Sequence, residues 1–185
     1  MIDHDRKMRA GICLLKESWE EEIASLRIFA TVIQKEEDHF LVDSSGCWIR
    51  LKSAKKIELS PTDKSCILGN FAGLSLETLD IKNSQKILSI LGFKHSMGTA
   101  EQGWMSFTDA FDNTVSLMVP FSCPHLFFNP SLTFFNGKNN PQIIQEIRDL
   151  KIPITEEITA FNDKGLVDNI IIREPGGYGF FIFND

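Results

Sequence analysis

The chain has 185 residues, 43% of them hydrophobic and 24% charged, with 19 Lys and Arg against 25 Asp and Glu for a net charge of −6. That length and apolar content suit one domain, or one domain plus an extension, and exclude disordered, collagen-like and coiled-coil classes. The acidic balance supplies no basic surface for a phosphate backbone, so nucleic acid is not expected as a partner. No apolar run approaches the roughly 20 residues that span a bilayer, and the apolar patch 11–15 is cut off by Lys16 and Glu17. No membrane segment or signal peptide is therefore expected, and the expected location is cytoplasmic.

In the N-terminal part, Ser18 followed by Glu21 reads as a capping box, and Trp19, Ile23, Leu26, Ala30 and Ile33 recur at helical spacing. The pattern predicts an amphipathic helix over 18–33. A hairpin over 40–51 follows, with Asp43-Ser44-Ser45-Gly46 as its turn and a charged, solvated stretch at 52–56. Cys13, Cys47, Cys66 and Cys123 are far apart and form no CxxC pair, which reads as free thiols rather than a zinc or redox motif.

The composition shifts near Gly69-Asn70, beyond which lie 13 of the 15 phenylalanines. From there the predicted order is a strand at 74–79, a helix at 84–91 closed by Gly92, a weaker strand at 93–97, and a hairpin of 104–110 with 114–119. The order then restarts with a strand at 131–135 and a helix capped by Asn140 with Pro141 in its first turn. Strands at 157–161, 167–173 and 178–183 complete it. Each half reads βαβββ, and residues 76–84 align with 132–140 at an offset of 56, so the sequence carries an internal repeat. The expected organisation is an N-terminal extension (1–70) of helix plus hairpin and an α+β domain (71–185). Two βαβββ modules (72–120 and 130–185) form a mixed sheet curled around a cleft.

Two such modules, with Asp80-Ile81-Lys82-Asn83-Ser84 leading into the first helix, Leu91-Gly92-Phe93 leaving it, and the turn Glu174-Pro175-Gly176-Gly177 before the last strand, resemble the vicinal oxygen chelate superfamily. That superfamily includes glyoxalase I, bleomycin-resistance proteins and extradiol dioxygenases. The resemblance covers about 72–185 and leaves 1–70 unexplained. It implies divalent-metal ligands early in strand one and in strand four of each module, which fall here at Gly73, Leu117, Asn129 and Phe181. None is a good oxygen or nitrogen donor, so no metal, no cofactor and no catalytic residue is expected.

Other candidates reduce to ordinary roles. Cys123 and His125, two residues apart on a Pro124-containing linker, need not face each other as nucleophile and base. Glu156 and Glu157 are adjacent on a strand and face opposite ways. Gly176-Gly177-Tyr178-Gly179 has no helix behind it to bind phosphate. The aromatic residues of the second module carry more information. Phe135, Phe181 and Phe183 share one strand face, with Glu77, Ser131 and Thr133 as polar groups of matching parity, and these six residues are the expected ligand-binding set. The sequence thus reads as a metal-independent protein of the bleomycin-resistance kind that binds a small apolar or aromatic molecule between modules. The alternative is a metal-dependent lyase, isomerase or dioxygenase of the same superfamily. Homodimer formation and a docking role for 1–70 stay open.

Overall fold

A computed structural model describes residues 11–54 and 66–184, so the charged stretch 52–56 lies partly outside the described residues. The first unit runs β1 (Gly11–Lys16), α1 (Glu20–Leu26), β2 (Val32–Lys35), β3 (Asp38–Val42) and β4 (Trp48–Ser53). Its sheet has the order β1-β4-β3-β2, with β1 and β4 parallel. The expected helix 18–33 ends at Leu26, because Thr31-Val32-Ile33 is a β-branched run that favours a pleated strand over a helical turn. Ser18 reaches only the Glu20 N–H, at 3.4 Å, and Trp19 occupies the N-cap. The hairpin stands as expected, turning on Asp43, whose Oδ1 accepts the Ser45 N–H at 3.0 Å, and on Gly46 at φ 76°.

The middle unit comprises β5 (Phe71–Glu77), α2 (Ile81–Ile90), β6 (Lys94–Thr99), β7 (Trp104–Thr108) and β8 (Thr114–Met118). The last unit comprises β9 (Ser131–Phe135), α3 (Asn140–Asp149), β10 (Glu156–Ile158), β11 (Asn169–Arg173) and β12 (Gly179–Phe183). Together they form one eight-stranded sheet in the order β10-β11-β12-β9-β5-β8-β7-β6. Within each unit the first and last strands are parallel neighbours, and β5 pairs antiparallel with β9 to join them. The N-terminal part is therefore more than a helix and a hairpin. Its strand order repeats that of the other two units, with β1 and β2 supplying the strands that the sequence reading lacked.

Asp80 caps α2, its Oδ1 accepting the Asn83 N–H at 2.9 Å, so the helix starts three residues before the expected Ser84. Asn140 does not cap α3; Asn139 holds the N-cap without a side-chain bond. Asn140 is instead fully buried, donating to the carbonyls of Asp168 and Ile182 and accepting from Asn136 Nδ2 at 2.9 Å. Its amide thus ties the start of α3 to β12.

One hydrophobic cluster runs from the first unit into the middle one. Trp19, Ile23 and Leu26 of α1 share it with Leu41, Ile49 and Leu51 of the small sheet, Ile87 and Leu88 of α2, and Phe107 and Leu117 beneath. Each such burial contributes about 1.5–3 kcal/mol. Polar groups reinforce the junction: Ser84 Oγ donates to Asp43 Oδ2 at 2.9 Å and lies 2.8 Å from Thr78 Oγ1. A separate cluster packs Ile144 and Ile147 of α3 onto Ile170, Ile172 and Ile182. The first and last units also touch directly, through the Tyr178 hydroxyl, which lies 3.0 Å from both the N and the O of Gly11. Among the described residues no helix is long and apolar enough to cross a membrane.

Candidate functional site

Strand parity divides the eight-stranded sheet into two faces. Leu76, Phe107, Val115, Leu117, Phe134 and Ile182 point toward the helices. Their neighbours in sequence build the opposite, helix-free face. The register Ser75↔Ser131 is the last pair of the β5–β9 junction, and the offset of 56 carries one serine onto the other.

A row of hydroxyls crosses this face. Ser106 Oγ lies 3.2 Å from Ser116 Oγ, and Ser75 Oγ lies 3.0 Å from Thr133 Oγ1. Beside it runs a second row, since Glu77 pairs with Met118 and Met118 with Trp104. Trp104 is 37% exposed. These two rows, Glu77–Met118–Trp104 and Ser75–Ser116–Ser106, form a continuous patch of an acid, a thioether, an indole and three hydroxyls over the middle unit.

The corresponding face of the last unit is covered. The linker 119–130 between β8 and β9 lies over it, with Phe127 edge-on to Phe181 at 5.2 Å and the Phe181 ring stacked on Phe183 at 5.3 Å. Phe128 rests on Gly179, where a Cβ would meet its ring at 2.4 Å, and faces the Arg173 guanidinium at 5.6 Å. Ser131 Oγ donates to the Phe128 carbonyl at 2.7 Å. His125 Nδ1 lies 2.9 Å from Glu156 Oε1, while Glu156 Oε2 accepts the Leu126 N–H at 2.8 Å. At the near end, Asn129 Oδ1 accepts the Glu77 N–H at 2.8 Å and Glu77 Oε1 accepts the Phe121 N–H at 3.1 Å.

The six expected ligand-binding residues share the helix-free face but do not converge. Because β5 and β9 are antiparallel, Glu77 stands at one end and Phe135 with Phe183 at the other, about 20 Å away at strand rise. Ser131 and Phe181 are buried under the linker, and Thr133 is tied to Ser75. Parity alone placed these side chains on one face; the direction of pairing, which parity does not carry, separates them. Sequence reasoning missed Trp104, Ser106, Ser116 and Met118. Their signal was the polar or amphipathic alternation within 104–108 and 114–118, opposite Met105, Phe107, Val115 and Leu117.

The metal positions implied by the resemblance do not assemble either. Leu117 faces the helices, so the helix-facing parity assigned to Val115 and Leu117 leaves Ser116 and Met118 on the open face. Gly73 lies where a Cβ would meet the Thr114 carbonyl at 2.5 Å, and Asn129 is spent on Glu77. On the four central strands the face offers Ser75, Ser116 and Thr133 and one carboxylate, Glu77, whose Oε1 accepts the Phe121 N–H; with no imidazole and no second carboxylate beside it, this donor set does not fit a divalent ion. Among the described residues no three His, Cys, Asp or Glu side chains gather in a metal-like group. Burial pushes the Cys123 thiol up, against the His125 backbone N–H and with the charges of Glu77 and Glu156 adding to the rise, so it is a weak nucleophile.

No protein-family model matches the sequence, and no curated protein matches it. The structure is similar to the 2,3-dioxygenase LapB from Pseudomonas sp. KL28, with a TM-score of 0.54 at 14% identity over 93% of this chain and 69% of that one. It is similar to 2,2',3-trihydroxybiphenyl 1,2-dioxygenase from Sphingomonas wittichii strain RW1, with a TM-score of 0.55 at 14% identity over 94% of this chain and 69% of that one. A variant of homoprotocatechuate 2,3-dioxygenase from B. fuscum gives a TM-score of 0.57 at 14% identity over 95% of this chain and 55% of that one. The chain thus spans between 55% and 69% of the length of these proteins. Its fold is the vicinal oxygen chelate fold, and at such identities the likeness extends to the fold alone.

Proposed function

We propose that the protein binds a small apolar or aromatic molecule without a metal, in the manner of bleomycin-resistance proteins, on the patch formed by Glu77, Met118, Trp104 and the serine row. The observation that carries this reading is a single carboxylate, Glu77, set among hydroxyls on the central strands, beside an exposed indole and a half-buried thioether. A flat ligand would lie against Trp104 and Met118, with a donor or cationic group on Glu77 and further hydrogen bonds to Ser75 and Ser116. Thr133 supports the floor through Ser75. Phe135 and Phe183 lie too far along the sheet to reach the same small molecule, and Ser131 and Phe181 belong to the covered half.

The alternative, a metal-dependent lyase, isomerase or dioxygenase, draws on the dioxygenases that share the fold. It requires a donor set that the described residues of this face do not supply.

Trp104 fluorescence offers the test. Flat aromatic amines screened against the purified protein should quench or shift it, and Trp104→Phe should remove the signal. Trp104→Ala should weaken binding by about 1–3 kcal/mol through lost burial. Glu77→Gln should weaken cationic ligands and spare neutral ones, since a glutamine still accepts the Phe121 N–H. An equal loss from Phe135→Ala and Trp104→Ala would overturn the assignment of the patch.

A further inference from the structure

A groove of about 720 Å³ lies on the other side of the middle unit, between α2, the end of β6 with the turn after it, and Phe29 of the first unit. Its floor is apolar: Phe29, Ile90 and Ala100 are partly buried against the core, and Met105 is buried in it. Lys82 and Lys86, one turn apart on α2, stand over that floor, with the Lys86 Nζ 5.2 Å from the Phe29 ring centroid. Neither lysine has a carboxylate partner among the described residues. Glu101, on the turn after β6, is the acid in the lining. His95 is held in place: its Nε2 lies 3.0 Å from the Met97 carbonyl and 2.8 Å from the Gly98 carbonyl, so that nitrogen carries a proton and donates there.

The volume falls in the range of small-molecule sites, which combine an apolar floor with a few placed polar groups. Two unpaired cations at one wall of such a floor, on a chain whose net charge is −6, form a local field of the opposite sign. We propose that this groove binds a small amphipathic monoanion, its carboxylate or sulfonate between Lys82 and Lys86 and its apolar body on Phe29, Ile90 and Met105. Glu101, the acid in the lining, disfavours a second negative charge on the ligand. The site is separate from the helix-free face and stands whether or not that face binds a ligand.

The probe is 8-anilinonaphthalene-1-sulfonate, titrated by fluorescence at low ionic strength beside its neutral relative N-phenyl-1-naphthylamine. The double substitution Lys82→Gln with Lys86→Gln, at two exposed positions, should weaken the sulfonate about tenfold and leave the neutral probe unchanged, through loss of two charge-assisted contacts. Ala100→Trp should displace the sulfonate by filling the floor. Sulfonate affinity unchanged in the lysine variant would overturn the proposal. So would parallel losses of both probes in that variant. Circular dichroism and melting curves of each variant separate lost binding from lost folding.

Discussion

Phe127 of the inter-module linker stands edge-on to Phe181 of the last strand at 5.2 Å, so the aromatic half of the helix-free face is filled by the chain itself. Phe181 is buried, packed with Ile158, Ile171 and Phe183 beneath Phe127 and Phe128. Its substitution is therefore first a matter of stability. Phe181→Ala should cost about 3–5 kcal/mol, and Phe127→Ala, at a half-buried site, about 1–3 kcal/mol. Denaturant unfolding of both single variants and the double variant measures the pair. A double-variant loss equal to the sum of the single losses would mean that the two rings do not stabilise each other.

Asn140, itself fully buried, bonds three partners at once, which a capping residue would not. Asn140→Ala should destabilise by about 1–3 kcal/mol, because the buried Ile182 carbonyl and the partly buried Asp168 carbonyl each lose a donor. Asn140→Ser, which restores a good N-cap residue type, should recover little of that loss. Thermal melts of the two variants compare the buried role with the capping role.

Cys47 carries a signature in alkali. Burial, with the charge of Asp43 adding to it, pushes its thiol from 9.0 up to about 12. Between those values the unfolded chain releases the proton while the folded chain keeps it, so the folded state binds more protons and loses stability as pH rises. The contribution is full below pH 9 and should fall by about 1.4 kcal/mol for each unit above it. Cys47→Ala should lack this component of the slope in urea melts between pH 9 and 11. Thiol titration of the native protein at pH 8 should modify the exposed Cys66 and leave Cys47 unreacted.

Metal removal tests the donor set on the helix-free face. Elemental analysis should find no stoichiometric divalent ion in the purified protein, and chelator treatment should leave the melting temperature unchanged. A bound ion stabilises by mass action, so a shift of several degrees on chelation would reveal ligands outside those described.

The fold was legible where hydrophobic period and turn chemistry agreed. The Asp43–Gly46 turn and the repeated element order rest on local residues, whereas the start of α2, expected at Ser84, lies three residues earlier behind the Asp80 cap. Of the failures, the helix overrun into β2 was decided nearby, and the others by contacts far along the chain. Ile33 continued the helical spacing after Leu26, but β2 pairs with β3, and Ile33 lies opposite Phe40. Gly11–Lys16 looked like an interrupted apolar patch because its partner, β4, is more than thirty residues away. For the site, parity placed six residues on one face correctly, yet the antiparallel β5–β9 junction sent Glu77 and Phe135 to opposite ends. The linker that covers Phe181 left no periodic mark in the sequence.

The Tyr178 hydroxyl meets both backbone groups of Gly11, taking its N–H and giving a proton to its C=O. Those are the two groups a neighbouring strand would use to begin pairing, and an open strand edge is a template on which another chain can add. A phenol from the far end of the polypeptide thus occupies the first rung of that ladder. Among the described residues that rung at Gly11 is held by one hydroxyl oxygen, and Tyr178 is the chain's one tyrosine.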